Sequence, residues 1–408
     1  MGAAAKIPRS LCAAMLLQFA VGGAVIPFVT LLLRDRGLGI GQIGTIFSCA
    51  AATLMVAPFF WGMLADRYLP LNRLFVLLNV IGAAALAGFA LQTTPAGLTI
   101  AYTVFVACFT PTLSLINALS FHHLPDPPNQ FAIVRSWGSV GWIMPFLPFS
   151  LWLAFSGRSD LTFVIWTGAG FCVAMAILGF FLPHTPPGAI GTDPRRMAYG
   201  PAVKLLLHDR NFLVLLAGMF LVSGSYSVLT YYSPPLLEDL GVPRHWIGPV
   251  QAIGVVFEIC LFQWQPAMLR RWNYAAILLL GSGALVLRHV LYALLREPWT
   301  LSISYLLAGA VIVCFHMGVS LMVNSMARVE TRATAQTLLS LSGQGLGPTC
   351  ANYASGLIAH RAGDRLEPVF WFAALWGAAA AGLVLSRGRK LNALGLAESS
   401  KGQAPGSK

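Results

Sequence analysis

The stretch that decides the fold is LCAAMLLQFAVGGAVIPFVTLLL, from Leu11 to Leu33, which contains no charged side chain. A helix rises about 1.5 Å per residue, so roughly 20 apolar residues cross the hydrocarbon core of a bilayer. The run is longer than the apolar region of a cleaved signal peptide, and no small-residue cleavage site follows before the next run. We therefore interpret it as a retained first membrane-spanning helix.

The composition of the whole chain agrees with that interpretation. Of its 408 residues 57% are hydrophobic and 10% are charged, whereas soluble proteins carry about 25% charged residues. So little charge cannot cover a surface that faces water. The sequence predicts an all-α integral membrane protein with twelve spans at 10–33, 41–63, 73–93, 98–121, 131–156, 160–182, 211–235, 245–268, 274–295, 299–327, 333–359 and 366–388.

One connecting segment differs from the others, because it is long, charged and rich in proline and glycine. It runs from Pro183 to Arg210 and separates six predicted spans from six. Such composition is typical of a surface linker between two parts of a chain. We expect a six-helix bundle over 1–182, a cytoplasmic linker over 183–210, a second six-helix bundle over 211–388 and a disordered cytoplasmic tail over 389–408.

The basic residues predict the orientation in the membrane. With the N-terminus inside, 17 of the 26 Lys and Arg residues fall in cytoplasmic segments and seven in outer loops. Positive charge favours the cytoplasmic side, which places both termini in the cytoplasm and the protein in a bacterial inner membrane. The net charge of +12 is then topological and does not indicate a nucleic-acid partner. The expected partners are lipid, protons and a small solute, and a monomer is the expected state.

The cysteines and polar residues exclude several chemistries. The seven cysteines stand singly, which fits neither a disulfide framework nor a zinc site. No metal-ligand cluster, carboxylate pair or nucleophile with an adjacent base is found, so the sequence predicts neither an enzyme nor a cofactor. A membrane-embedded enzyme and a non-transporting membrane sensor remain as minor alternatives.

Three charged residues fall inside the predicted spans: Arg135, Glu258 and Arg288. A charge in mid-bilayer costs a few kcal/mol or more, so each of them needs a partner or a function. Glu258 lies twelve residues before Arg270, about 18 Å along a helix and near the midplane. It can load and release a proton as its surroundings change. The alternatives are a structural carboxyl group or a fixed ion pair with Arg288, and for Arg135 a side chain that reaches the headgroups.

Several uncharged residues complete the candidate site. His316 is predicted near mid-depth, where a proton relay and a hydrogen-bonded structural histidine are equally consistent with its position. Hydroxyl, amide and indole side chains suited to a solute cavity recur in other spans, and the candidates are Asn117, Ser139, Trp142, Ser227 and Thr230. An indole offers a stacking face, and hydroxyls and amides give directional hydrogen bonds.

The segment GMLADRY, Gly62 to Tyr68, resembles the motif between the second and third helices of the major facilitator superfamily. The six-plus-six layout with its basic linker resembles that superfamily as well. The resemblance implies two pseudo-symmetric six-helix bundles and alternating access. It also implies that Gly62, Asp66 and Arg67 act in a conformational gate.

Within the superfamily, FAIVRSWGSVGW resembles a cluster of proton symporters, comprising the nucleoside–proton symporters, the phenylpropionate permease and lactose permease. It places Arg135, Ser139 and Trp142 at a substrate-binding pattern. GVVFEICLF and VLRHVLYAL resemble the eighth and ninth helices of the phenylpropionate permease, which implies proton coupling by Glu258 and Arg288. His316 stands on the tenth helix, where lactose permease has a mechanistic histidine.

The chain also departs from the nucleoside symporters at two helices. Ser227 and Thr230 stand on the seventh helix where those symporters carry amides, and Val313 stands where they carry a carboxylate. The prediction is a proton-coupled symporter that imports a small organic solute, best a nucleoside or a sugar-like compound. An aromatic-carboxylate importer and a drug or metabolite efflux antiporter are the alternatives.

Overall fold

The computed structural model describes residues 7–157, 159–187 and 197–401, and within them all regular secondary structure is helical. Eleven of these helices are long and apolar enough to cross a membrane. A twelfth helical run, at 332–361, contains more Ser, Thr, Gln and Gly than the others. The predicted all-α membrane fold is confirmed.

We number the spans in chain order and leave the short helix Tyr199–His208 unnumbered. The first six are α1 Arg9–Asp35, α2 Ile40–Arg67, α3 Leu71–Leu91, α4 Pro95–His123, α5 Gln130–Ser156 and α6 Thr162–Gly179. The others are α7 Arg210–Asp239, α8 Arg244–Arg271, α9 Tyr274–Leu294, α10 Pro298–Met326, α11 over 332–361 and α12 Glu367–Lys401.

Two of these helices contain a π-helical turn. In α10 it covers Val311–Met317, and in α11 it covers Leu341–Leu346. Such a turn carries one residue more than an α-turn and is found often at functional sites. In α10 it carries His316, one of the predicted proton-coupling residues.

The helices form two compact units. The first contains Met1–Thr192 with Thr230–Ala252, and the second contains Asp193–Leu229 with Ile253–Lys408. The second bundle is predicted to contain all of 211–388. In the structure, the segment Thr230–Ala252, from the end of α7 to the start of α8, packs within the first unit. An aromatic contact contributes to this assignment, since the ring of Tyr231 stacks on that of Phe47 at 3.9 Å between centroids.

Ion pairs hold the same segment in the first unit. Arg34 at the end of α1 pairs with Asp239 at 2.9 Å. Arg244 at the start of α8 pairs with Asp35 at 2.6 Å and with Glu238. It also donates to the carbonyl oxygen of Ser159 at 2.6 Å. One guanidinium thus joins the end of α1, the end of α7 and the loop before α6.

The predicted linker and tail both contain helix. Residues Tyr199–His208 of the linker form a helix, whereas 188–196 lie outside the described residues. The tail was predicted to be disordered from residue 389, but α12 continues to Lys401. The extension is rich in Leu, Ala, Glu and Lys, which are strong helix formers. Residues 402–408 lie outside the described part of the chain.

We predict that Arg244→Gln lowers the thermal unfolding midpoint of the detergent-solubilised protein by a few degrees. Arg244 joins two carboxylates and a carbonyl, so its loss should cost about 1–2 kcal/mol, more than an isolated exposed pair. Arg365→Gln is the matched control, because Arg365 is 70% exposed and pairs only at the surface with Glu367. Equal shifts in both variants would contradict a special role for the Arg244 network.

Candidate functional site

A cavity of about 140 Å³ in the first unit is lined by residues of α1, α4 and α5 and is open on one side. Its walls are largely aromatic and apolar. The lining residues are Gln18, Phe19, Gly22, Phe109, Thr110, Leu113 and Trp142. Such a cavity can hold a flat ring between apolar faces.

Glycines place Trp142 in this wall by letting α1 and α5 touch backbone to backbone. A Cβ atom at Gly23 would overlap the carbonyl group of Trp142, and one at Gly141 would overlap the carbonyl group of Leu16. Small residues allow this approach, which is a common way of packing membrane helices. The position of the indole therefore depends on these two glycines.

Arg135 lies beside the cavity. Its guanidinium carbon is 4.3 Å from the ring centroid of Phe19, which lines the cavity. Arg135, Ser139 and Trp142 are spaced by four and three residues, which puts them on one face of α5. All three are half-buried. The structure thus brings Arg135 and Trp142 to neighbouring positions on the cavity wall, with Ser139 between them along the helix.

Asn117 lies close to the cavity, whereas the motif residues Gly62, Asp66 and Arg67 at the end of α2 lie away from it. Asn117 is one turn beyond the cavity residue Leu113, and its Oδ1 is buried without a hydrogen-bond partner among the described residues. Gly62 is half-buried, and Asp66 and Arg67 are exposed at the end of α2. These three residues, which the family resemblance assigns to a gate, do not line the cavity.

The second unit buries an arginine. Arg288 on α9 is 2% exposed, and its guanidinium stacks on the rings of Tyr305 at 4.5 Å and Tyr292 at 5.7 Å. Such stacking stabilises a desolvated cation by about 2 kcal/mol. Within the described chain, Nε and Nη2 of Arg288 have no hydrogen-bond partner. The position therefore favours a negatively charged or acceptor group close to this arginine.

Tyr226 of α7 lies within electrostatic range of both Glu258 and Arg288. At Glu258, α8 and α10 approach closely, since a Cβ atom at Gly309 would lie 2.8 Å from the backbone N and Cα of Glu258. The side chain of Glu258 is half-buried. The glycine therefore fixes the backbone that carries the carboxyl group.

His316 joins the same cluster. Its Nε2 lies 3.0 Å from the hydroxyl oxygen of Ser223, and its ring centroid is 5.6 Å from that of Tyr226. The structure thus brings the three predicted proton-coupling residues together around one tyrosine. Sequence reasoning missed Tyr226, although the polar run SGSYS in the middle of an apolar helix marks its position.

Ser227 and Thr230, predicted to bind substrate, lie on either side of the division between the units. Ser227 belongs to the second unit, is buried and donates to the carbonyl oxygen of Gly224 at 3.1 Å. Thr230 is half-buried and belongs to the first unit. Within the described residues, no group of three His, Cys, Asp or Glu side chains could hold a metal ion.

The fold and the membrane spans define a multi-pass membrane protein of the major facilitator type, and the family whose model matches the chain is one of transporters. The family model described as nucleoside H⁺ symporter matches residues 5–386. The chain therefore belongs to the nucleoside H⁺ symporter family, which confirms the predicted resemblance.

Individual relatives are distant but extend over most of the chain. The putative nucleoside transporter YegT of Escherichia coli is 26% identical over 89% of this chain and 87% of its own length. A probable 3-phenylpropionic acid transporter of the same organism is 26% identical over 72% of this chain and 76% of its own. The crystal structure of the nucleoside transporter NupG superposes with a TM-score of 0.78 at 20% identity, over 93% of this chain and 98% of that one.

The close crossing of α1 and α5 predicts opposite effects for two Gly→Ala substitutions. Gly141→Ala should destabilise the protein by about 1–3 kcal/mol or more, because the added methyl group meets the carbonyl of Leu16. Gly170→Ala on α6 is the control, since its Cβ would meet nothing within 4 Å, and alanine is the better helix former by about 1 kcal/mol. Thermal unfolding in detergent measures both, and an unaffected Gly141→Ala variant would refute the close crossing.

Proposed function

We propose that this protein imports nucleosides together with protons. The observation that carries the proposal is the separation of two sites in one family member. The first unit has a cavity with aromatic walls, and the second has a buried arginine in a cluster with a half-buried glutamate, a histidine and a tyrosine. The first suits a nucleobase and the second suits a proton.

In the cavity the base stacks on Trp142, with Phe19 and Phe109 as the other aromatic walls. Stacking of a base on an aromatic side chain is worth about 1–3 kcal/mol and tolerates different bases. Arg135, Ser139 and Asn117 are the nearby polar residues of the same unit and supply donors and acceptors for the ribose. This arrangement selects a molecule with one flat apolar end and one polar end.

In the second unit Glu258 carries the proton. Protonation removes a charge that would be costly in the membrane, and the nearby Arg288 favours the ionised form when the two approach. Tyr226 and His316 lie next to this pair and complete the route along which the proton enters or leaves. The substrate then moves by alternating access, with Gly62, Asp66 and Arg67 in the gate.

The proposal extends to the orientation of the protein in the membrane and to the number of chains that it needs. The excess of Lys and Arg in alternate connecting segments supports an inner-membrane protein with both termini in the cytoplasm. We propose that a single chain is sufficient for transport, since each of the two sites is formed within one chain.

For the proton site, we predict that Glu258→Gln abolishes uphill nucleoside uptake and leaves nucleoside exchange across the membrane intact. Glutamine keeps the shape of the side chain but cannot load and release a proton. Uptake driven by an imposed pH gradient in proteoliposomes, beside counterflow without a gradient, measures the two activities. Glu330→Gln, at an exposed position, is the control and should accumulate substrate normally. Uphill uptake by Glu258→Gln would exclude Glu258 as the coupling residue.

For the cavity, we predict that Trp142→Ala raises the KM for nucleosides about tenfold while Trp142→Phe retains most of the affinity, because the stacking face is lost only in the first. Trp166→Ala on α6 is the control, since Trp166 is 46% exposed and does not line the cavity.

The transport assay should include nucleosides, sugars and aromatic carboxylates, with pH recorded on the inside. Inward proton movement with nucleosides supports the proposal. Inward proton movement with aromatic carboxylates alone would mean that the substrate is an aromatic carboxylate and not a nucleoside. Outward movement of the solute in exchange for protons would indicate an efflux antiporter.

A further inference from the structure

The cavity helix α4 contains a proline in its interior, and the structure shows what compensates for it. Pro111 is buried within the helix Pro95–His123. A proline has no N–H group, so the carbonyl oxygen of the residue four positions earlier loses its helical partner. In α4 that residue is Ala107. An unsatisfied carbonyl is costly in a membrane protein because no water is available in the hydrocarbon core to replace the donor.

Trp61 of α2 supplies the missing donor. Its indole Nε1–H donates to the carbonyl oxygen of Ala107 at 2.9 Å. The indole of tryptophan has a single N–H donor and no acceptor, so this bond uses its whole hydrogen-bonding capacity. The side chain is half-buried, and it immediately precedes Gly62 of the gate motif.

Gln18 of α1 forms hydrogen bonds with the same part of α4. Its Nε2 donates to the carbonyl oxygen of Phe109 at 3.0 Å, and its Oε1 lies 2.7 Å from the Thr112 hydroxyl oxygen. Gln18 is only 2% exposed, so it offers almost no surface to a molecule in the cavity that it borders. Its role is therefore to position α4 and not to contact a substrate.

The residue positioned by these bonds is Phe109. Its ring lines the cavity and stacks on that of Phe105, with 5.1 Å between centroids and 17° between planes. It is two residues before Pro111, where a change in the bend would turn the ring. The direction of Phe109 in the cavity thus depends on donors that come from two other helices.

We infer that Trp61 and Gln18 are positioning residues that fix the bend of α4 at Pro111 and thereby hold Phe109 in the substrate cavity. The inference rests on the proposed function, which makes this cavity the nucleoside site. It further means that the helix bearing the gate motif is tied to the cavity by one hydrogen bond, adjacent to the motif's first glycine. A displacement of α2 near Gly62 is transmitted to the carbonyl of Ala107.

The test is a double-mutant cycle of Trp61→Phe with Pro111→Ala. In the parent protein Trp61→Phe leaves the Ala107 carbonyl without a donor and should raise the KM for nucleosides about fivefold, with little change in the maximal rate. In the Pro111→Ala background, the N–H group at position 111 bonds Ala107 as in any helix. Trp61→Phe should then have only the smaller effect of the lost ring volume. The smaller ring of phenylalanine is common to both backgrounds, so its contribution cancels.

Thermal unfolding of the same four proteins gives the second readout, which is independent of transport. The destabilisation caused by Trp61→Phe should be larger in the parent protein than in the Pro111→Ala background. An equal loss of stability in both backgrounds would overturn the role of Trp61. For Gln18, the Gln18→Leu variant should raise the KM. Thr112→Val should have a smaller effect, because it removes the bond from the Thr112 hydroxyl to the carbonyl oxygen of Phe109 but leaves the bond from Gln18 to the same oxygen in place.

Failure of this inference can be told from failure of the proposed function. If Trp142→Ala leaves the KM unchanged, the cavity is not the nucleoside site, while the stability cycle still reports on the bend. If Trp142→Ala raises the KM and Trp61→Phe costs the same in both backgrounds, the cavity binds nucleosides and the bend is not held by Trp61.

Discussion

A polypeptide in hydrocarbon must satisfy its polar groups from within, because no water can replace a missing partner. Much of this structure follows from that constraint. At the end of α3, Arg36 donates to the carbonyl oxygens of Phe89, Ala90 and Gln92 at 2.6 to 2.8 Å and caps the helix. Arg288 finds two tyrosine rings, and the carbonyl freed by Pro111 finds an indole. In each case the partner is a side chain from another helix or a distant turn, so the contact also fixes how the helices pack.

The same constraint separates the two kinds of chemistry. The first unit builds an almost uncharged cavity from glycine crossings and aromatic rings, so that a flat solute meets apolar walls. The second unit places Glu258, Arg288 and His316 around Tyr226. Helix α7 takes part in both units, since Tyr226 lies in the second and Tyr231 in the first. One continuous helix therefore carries contacts of the proton cluster and of the Phe47 stack.

The sequence predicts best those features that depend on composition along the chain. Long apolar runs reveal the spans, and a buried carboxylate or guanidinium is conspicuous within them, so Glu258, Arg288 and Arg135 could be found without a structure. Contacts that depend on how helices pack could not be found in this way. Trp61 and Gln18 look like ordinary membrane residues, and only the distances to Ala107 and Phe109 reveal their partners.

Two further differences have the same origin. The position of segment 230–252 after the linker predicts that it belongs to the second bundle. In the structure Arg244 pairs with Asp35 and Tyr231 stacks on Phe47, both in the first unit. The polar composition of the tail predicts disorder, whereas its Leu, Ala and Lys residues continue α12 to Lys401. Composition alone does not reveal which residues pair between helices, and it predicts only weakly where a polar helix ends.

The π-helical turn under His316 gives α10 a freedom that a regular helix lacks. It stores one surplus residue, and moving that surplus by one turn rotates the intervening side chains by about 100° without breaking the span. The imidazole could in this way exchange Ser223 for a different neighbour while α10 stays in place at both ends. A histidine on such a turn can change its hydrogen-bond partner while both ends of the helix stay where they are.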